Sequence, residues 1–229
     1  MILIVLPVYN EENTIKDSVR KIVGFLDNRY DFEILIVDNG STDKTLEKAK
    51  KLCEDYSGIK CIHIDKKGRG RALRKAWSES NADIFSYMDI DLSTDLSAFP
   101  RLIEEINNGY DIAIGSRHIK GAKVYRSFRR EILSRGYNIL LKLFFGVNFS
   151  DAQCGFKAVN KRIVEEVIPD VKDQEWFFDT EMLVIAEKKG FRIKEVPVYW
   201  EENRESKVKV FKTIFDYMTS IFRLRLSLP

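Results

Sequence analysis

The chain has 229 residues, 45% of them hydrophobic and 32% charged, with a formal net charge of +3, a profile that suits one large globular core and argues against a nucleic-acid binder. Three cysteines without CxxC spacing, Cys53, Cys61 and Cys154, suggest neither a disulfide framework nor a zinc site and fit a reducing cytoplasm. No run of about twenty apolar residues occurs, so no spanning helix is expected and any membrane association would be peripheral.

The opening MILIVLPVYN lacks a charged leader or a small-residue cleavage site and reads as a first strand. A helix from about Glu12 to Asn28 follows, then the strand FEILIVD and a helix after Asp43. The run IKCIHID precedes a helix beginning near Gly70, DIFSYMD precedes a helix from about Leu96 to Asn108, and DIAIGS closes the alternation. Strands alternating with helices predict an α/β fold, a mainly parallel sheet with helices on both faces. In such sheets the ligand crevice lies outside the carboxyl ends of the strands. Polar residues gather at those ends: Pro7, Tyr9, Asn10 and Glu11 after the first, Asp38 to Asp43 after the second, Lys66 to Arg71 after the third, Asp89 and Asp91 at the fourth, Ser116 and Arg117 at the fifth. Beyond Arg117 come a basic amphipathic stretch over 124–149, the segment DAQCGFKAV, a helix from Phe178 to Lys188, the strand RIKEVPVYW and an amphipathic helix from about Lys207 to Leu226. No internal repeat or Pro/Gly-rich linker divides the chain, so a single domain over 1–229 is expected.

Three stretches suggest chemistry. In FSYMDIDLS the period of two puts Asp89 and Asp91 on one side, with Met88 and Ile90 turned into packing. Two like charges sharing a site call for a cation nearby, although a strand end with two solvated acids is the plainer reading. Mg²⁺ or Mn²⁺, which take one or two carboxylates plus substrate phosphates, would satisfy the pair. In VDNGSTD, turn and capping chemistry explains Gly40, Ser41 and Asp43 but does not require Asp38, whose carboxylate would face the crevice. KKGRGRALRKA reads either as a helix N-terminus that receives phosphate, with Gly68, Arg69 and Arg71, or as a simple helix-entry turn. It lacks the third glycine of a dinucleotide fingerprint.

PVYNEE, VDNGSTD, KGRGRA, DIDLS and GSR, followed by DAQCGFK, WFFDTE and VPVYWEENRESKV, together resemble the GT-A family 2 glycosyltransferases. Within them the set resembles the dolichyl-phosphate (polyprenyl-phosphate) sugar synthases, and the QCGFK and VxW...SK elements lie closer to the dolichyl-phosphate glucosyltransferase branch. The resemblance covers nearly the whole chain and implies a GT-A (Rossmann-like) fold, with a nucleotide-sugar-binding half over 1–117 and an acceptor-binding half with amphipathic helices over 118–229. It implies metal-dependent, inverting transfer of one hexose from a nucleotide-diphosphate sugar, with a UDP-sugar favoured, to dolichyl or polyprenyl phosphate. The alternatives are a GDP-mannose-dependent mannose synthase, a family 2 transferase acting on a sugar hydroxyl in surface polysaccharide assembly, and a non-catalytic nucleotide- or lipid-binding module.

By the same resemblance Pro7, Tyr9, Glu11 and Asp38 would hold the nucleoside, with Gly68, Arg71 and Gln153 also on the nucleotide sugar. Asp89 would lie near the ribose and the metal, and Asp91 would be a metal ligand. Arg117, Arg130 and Ser134 match the acceptor-phosphate positions, and Asp179 falls where other family 2 enzymes place a catalytic carboxylate. Two departures concern base choice and metal coordination: Asn39 stands where a second acid is common, and Ser93 where the mannosyl branch has Gln. A phosphate monoester, with a second pKa of about 6, is largely dianionic at neutral pH. It needs an arginine clamp to orient it rather than a general base, so Asp179 is assigned a positioning role. A hydroxyl acceptor would instead require Asp179 as the base.

Between residues 117 and 142 the only acid is Glu131, against Arg117, Lys120, Lys123, Arg126, Arg129, Arg130, Arg135 and Lys142. Leu140, Leu141, Leu143, Phe144 and Phe145 accompany them, so membrane contact is expected for this stretch, with Arg126 and Arg129 on a solvated basic face. For the terminal helix, with Phe211, Lys212, Phe215, Phe222, Arg223 and Arg225, packing on the sheet is favoured for Phe211 and Phe215. The expected setting is the cytoplasmic face of a membrane, bound peripherally and reversibly.

Overall fold

The structure, a computed structural model, describes residues 1–202 and 210–228, without the side chains of 210–215. The end of the VPVYWEENRESKV motif and the side chains of Phe211, Lys212 and Phe215 lie outside the described residues. Seven strands form one sheet: β1 (Ile2–Val8), β2 (Phe32–Asp38), β3 (Ile59–His63), β4 (Ile84–Met88), β5 (Ile112–Ser116), β7 (Phe156–Asn160) and β8 (Ile193–Pro197). Their spatial order is β3-β2-β1-β4-β7-β5-β8. All neighbours are parallel except β7, which runs antiparallel to both β4 and β5.

The apolar run of β1 serves two cores. Leu3 and Val5 face one cluster with Leu73 and Trp77 of α3 (Arg69–Ser78) and Met182 of α7 (Phe178–Lys188). Ile4 and Leu6 face the other, with α1 (Ile15–Leu26), α2 (Thr45–Asp55) and α4 (Phe99–Asn107). Helix α1 shows why it seats there: Ile15, Val19, Ile22 and Leu26 recur at helical spacing and are all buried. Each such side chain contributes about 1.5–3 kcal/mol on burial. The parallel register sets Val8 opposite Asp38, and Asp38 opposite His63, so three strand ends share one rim.

Two elements depart from the sequence reading. DAQCGFKAV contains a strand, β7, hidden because Lys157 interrupts its apolar run while being fully buried. Since β7 is antiparallel, its start pairs with the end of β4, Phe156 opposite Met88, and residues 151–155 are delivered to the crevice rim. RIKEVPVYW is two strands: after Pro197, which has no N–H to donate, the chain leaves the main sheet. There β9 (Tyr199–Glu201) pairs with β6 (Lys123–Tyr125).

The basic stretch forms α5 (Phe128–Phe145), stopped by Gly146 in the left-handed region (φ +60°). It is followed in the chain by the short α6 (Lys161–Glu166), and the last helix is α8 (Val210–Ser227). Of the apolar residues expected at a membrane, Leu141 and Phe145 belong to the core and Leu140 and Phe144 pack against it. Leu143, 78% exposed, points outward with Phe128, Ile132, Leu133 and Ile139. Helix α8 docks through Ile221 and Leu224, with Tyr217 ring-to-ring with Tyr137 and Phe177. Among the described residues no helix is long and apolar enough to cross a membrane.

Candidate active site

The rim over β1 and β2 is tied by side-chain to backbone bonds. Asn10, with φ +54°, donates its amide to Ser41 Oγ (2.9 Å), and its Oδ1 accepts from the Thr42 amide (2.8 Å). The Glu11 amide donates to Thr45 Oγ1 at 2.7 Å. Asp38 is fully buried, its Oδ2 2.6 Å from His63 Nδ1 and both oxygens 3.4 Å from the Ser41 amide. Beside it, buried Asn39 has its amide on the Val8 carbonyl and an Oδ1 without any hydrogen-bond partner. Pro7 is half-buried within β1, and the exposed Tyr9 ring carries Lys67 Nζ 3.8 Å above its centre.

Strand β4 ends at Met88 and the chain turns at once: the Leu92 amide donates to the Asp89 carbonyl (3.2 Å), and Leu92 has φ +51°. The period-two argument therefore stops one residue too early to place Asp89 and Asp91, although Met88 and Ile90 are buried as expected. Asp91 accepts from the Ser93 amide at 3.0 Å. Asp89 has one cation of the protein beside it: Arg69, nearly buried, pairs with Asp89 Oδ1. Its other nitrogen lies 3.6 Å from Asp179 Oδ2, and its guanidinium sits between the rings of Tyr87 (5.1 Å) and Trp176 (4.9 Å).

Asp179, in the first turn of α7, is buried and engaged on both oxygens. Oδ1 accepts from the Tyr87 hydroxyl and from Lys157 Nζ (2.8 Å), which also donates to the Cys154 carbonyl at 2.8 Å. Burial lowers the Lys157 pKa, with Asp179 opposing, and burial followed by Asp179 raises that of Tyr87. Sequence reasoning missed Tyr87, Lys157 and this use of Arg69. The one signal it had for Lys157 was a charge within an apolar run.

Gly68 and Arg71 lie at the entry of α3. The Gly70 and Arg71 amides donate to the Glu175 and Gln174 carbonyls (3.2 and 2.9 Å), so the first turn of α3 holds the loop before α7. Any Cβ on Gly68 would overlap the Gln174 carbonyl, and Arg71 folds back onto the Lys67 carbonyl.

On the far side Arg117, just past β5, grips Asp151 with two parallel bonds (2.7 and 2.8 Å) and its own amide (3.0 Å), its guanidinium 5.5 Å from the centre of the Trp200 ring. Burial alone would raise the Asp151 carboxyl, but Arg117 holds it down at about 2. Burial likewise works to lower the Arg117 pKa, and Asp151 raises it above its ordinary value. The Gln153 amide donates to Asp151 Oδ1 at 3.2 Å. Ser134, buried on α5, lies 3.0 Å from His118 Nε2, and Arg130 pairs with Glu202. Arg129 is exposed as expected, whereas the Arg126 side chain is buried against Glu131. Its aliphatic stem and paired head allow that burial where an unpaired charge would not be tolerated.

Comparison with known proteins gives this site its family. The model for glycosyl transferase family 2 matches residues 3–168. Glycosyltransferase AglD of Haloferax volcanii is 39% identical over 225 residues, 96% of this chain and 36% of that protein. Dolichol-phosphate mannosyltransferase of Pyrococcus furiosus is 35% identical, covering 96% of this chain and 62% of its own. Dolichyl-phosphate beta-glucosyltransferase of Saccharomyces cerevisiae is 31% identical, covering 90% and 68%. The chain thus spans between about a third and two thirds of the length of these relatives. Among solved structures, glucosyl-3-phosphoglycerate synthase from Mycobacterium tuberculosis, in complex with Mn²⁺, UDP and glucosyl-3-phosphoglycerate, superposes with a TM-score of 0.75 over 100% of this chain and 81% of that one, at 20% identity, a likeness of fold. The parallel sheet with its one antiparallel strand is the GT-A fold, and the chain belongs to glycosyl transferase family 2.

Proposed function

We propose that this chain transfers one hexose from a nucleoside-diphosphate sugar, with a UDP-sugar favoured, to the phosphate of a dolichyl or polyprenyl phosphate, inverting the anomeric carbon. The observation that carries the choice of acceptor is the engagement of Asp179. Its two oxygens serve Tyr87, Lys157 and Arg69, so it is built as a scaffold and is poorly placed to collect a proton from a sugar hydroxyl. A phosphate oxygen, already anionic, attacks C1 directly; the bond from C1 to the diphosphate breaks, and the nucleoside diphosphate leaves with the electron pair. A single displacement of this kind inverts the centre.

At the donor end, buried Asp38 and the unpartnered Asn39 Oδ1 offer acceptors to the N–H groups of a base, with Pro7, Tyr9 and Glu11 alongside and Gln153 toward the sugar. Asp89 and Asp91 suit Mg²⁺ or Mn²⁺, hard ions that take one or two carboxylates and complete their shell with water and phosphate oxygens. Among the described residues no group of three or more potential ligands occurs, which fits a metal that arrives with its substrate. When bound, such an ion would neutralise the diphosphate leaving group. The solved relative in complex with Mn²⁺ and UDP is consistent with both choices. Arg117 and Arg130, held by Asp151 and Glu202, would bring positive charge to the acceptor phosphate, and Ser134 acts through His118.

The outward apolar face of α5, flanked by Arg129, Arg135 and Lys142, suits the surface of an anionic leaflet. Free thiols at Cys53, Cys61 and Cys154 fit its cytoplasmic side. GDP-mannose is the second reading for the donor, favoured by the 35% identity to a mannosyltransferase. The test is to incubate the chain with labelled UDP-glucose, UDP-GlcNAc or GDP-mannose, a polyprenyl phosphate and Mg²⁺ or Mn²⁺. Label should pass into the organic phase from one donor class and stop with chelator, and no transfer from any donor would refute the proposal.

A further inference from the structure

Glu131 is the single acid among eight bases between residues 117 and 142, and the fold gathers four groups around or against it. Arg126 donates from Nε to Glu131 Oε2 (2.6 Å), and its Nη2 lies 2.5 Å from the same oxygen. Arg135 donates to Oε1, and His118 Nδ1 stands 3.9 Å from Oε1. Next to this group lies Arg117, whose charge acts on both His118 and Arg126.

The hydrogen bonds around Glu131 do not balance. The side chains of His118 and Arg126 are each 4% exposed; Arg126 sets both Nε and Nη2 against the single oxygen Oε2, and His118 Nδ1 has no hydrogen-bond partner. Ser134 Oγ is 3.0 Å from His118 Nε2. With that hydroxyl donating, the ring proton sits on Nδ1 and is turned toward Glu131. A buried unpaired donor is costly, and here His118 Nδ1 faces, at 3.9 Å, a carboxylate whose two oxygens Arg126 and Arg135 already occupy. The carboxylate offers one charge and two oxygens, whereas a phosphate monoester offers close to two charges and three oxygens. Glu131 itself is 26% exposed and lies in the first turn of α5, so a rotamer change carries its head toward solvent while Arg126 stays in place.

We propose that Glu131 is a built-in stand-in for the acceptor phosphate, and that the acceptor displaces it to complete a clamp in which Arg126 and His118 join Arg117. This inference rests on the phosphate-acceptor reading above and adds two ligands and a competitor to it. Glu131 keeps the buried cations paired while the site is empty, when an uncompensated charge would be costly. It also biases the site toward dianions, because only a ligand carrying more charge than the carboxylate gains by replacing it.

The experiment is calorimetric titration of the whole chain with a short-chain isoprenyl monophosphate, without donor, so that no turnover is needed. UDP binding and the melting temperature serve as folding controls. Glu131→Gln, which removes the competing charge, is expected to tighten phosphate binding on the order of tenfold and leave UDP affinity unchanged. Arg126→Lys keeps the charge but loses the fork; it should weaken binding in the wild-type background and cancel the gain in Glu131→Gln. If Glu131 merely braces Arg126, Glu131→Gln will weaken or not alter binding, which overturns the inference while the phosphate-acceptor reading stands. If wild type and Glu131→Gln both fail to bind the phosphate while still binding UDP, the phosphate-acceptor reading fails and the inference with it.

Discussion

A Cβ on Gly155 would overlap Asp89 Oδ2 and lie 2.6 Å from Arg69 Nη2. Gly155→Ala must therefore push apart the ion pair that holds the crevice carboxylate, leaving the sheet behind it intact. We expect a folded protein whose transfer rate falls on the order of 10²-fold, the cost of misplacing a reacting group by about 1 Å; steady-state kinetics with circular dichroism check it. Asp179→Asn strands Lys157 in a buried site and should destabilise the chain by about 3–5 kcal/mol, read by urea denaturation. Adding Lys157→Met should recover much of that stability, because replacing both members of a buried pair is often nearly neutral.

Asp151 carries a pH signature. Its folded-state pKa, about 2 against an ordinary 3.8, means its contribution to stability is present above about pH 4 and is lost as pH falls through about 2. The stability gap between wild type and Asp151→Asn should narrow by about 2 kcal/mol over that window, as seen in denaturation curves at successive pH values. Of these residues only Asp89 and Asp179 were legible in the sequence. Gly155 and Lys157 act through contacts across β4, β7 and α7, and one chain read alone does not reveal who faces whom.

At the scale of elements, the strands with unbroken apolar runs were readable: β2 spans FEILIVD as read, and β1 is the run ILIVLPV within the opening MILIVLPVYN. Helix α7 likewise begins and ends where the sequence placed it, at Phe178 and Lys188. Strand β7 escaped because a lysine at its centre breaks the pattern that announces a strand, and the partner that makes that lysine tolerable comes from a helix twenty-two residues later. The basic stretch was read correctly as amphipathic, but half of its apolar residues face inward, since a helix among other helices has two faces to satisfy. Helices α3 and α7 meet at Gly70, where a Cβ would stand 2.7 Å from Phe178 Cβ. Gly70→Ala should cost about 1–3 kcal/mol by forcing them apart, and a drop in melting temperature without loss of helix content would show it.

At the scale of the molecule, one end of the sheet carries Asp38 and Asn39, the Arg69 network and the arginine cluster, because parallel strands end there and β7 begins there. The sequence disclosed this arrangement through the order of its strand ends, though not the pairing of Arg69, Arg117, Arg126, Arg130 and Arg135 with acids. On the function proposed above, the acceptor of this site is a phosphate, which supplies its own negative charge. The most direct test compares a polyprenyl phosphate with the corresponding polyprenol under identical donor and metal, following labelled sugar into lipid. The account predicts transfer to the phosphate alone, and transfer to the alcohol at a comparable rate would contradict it.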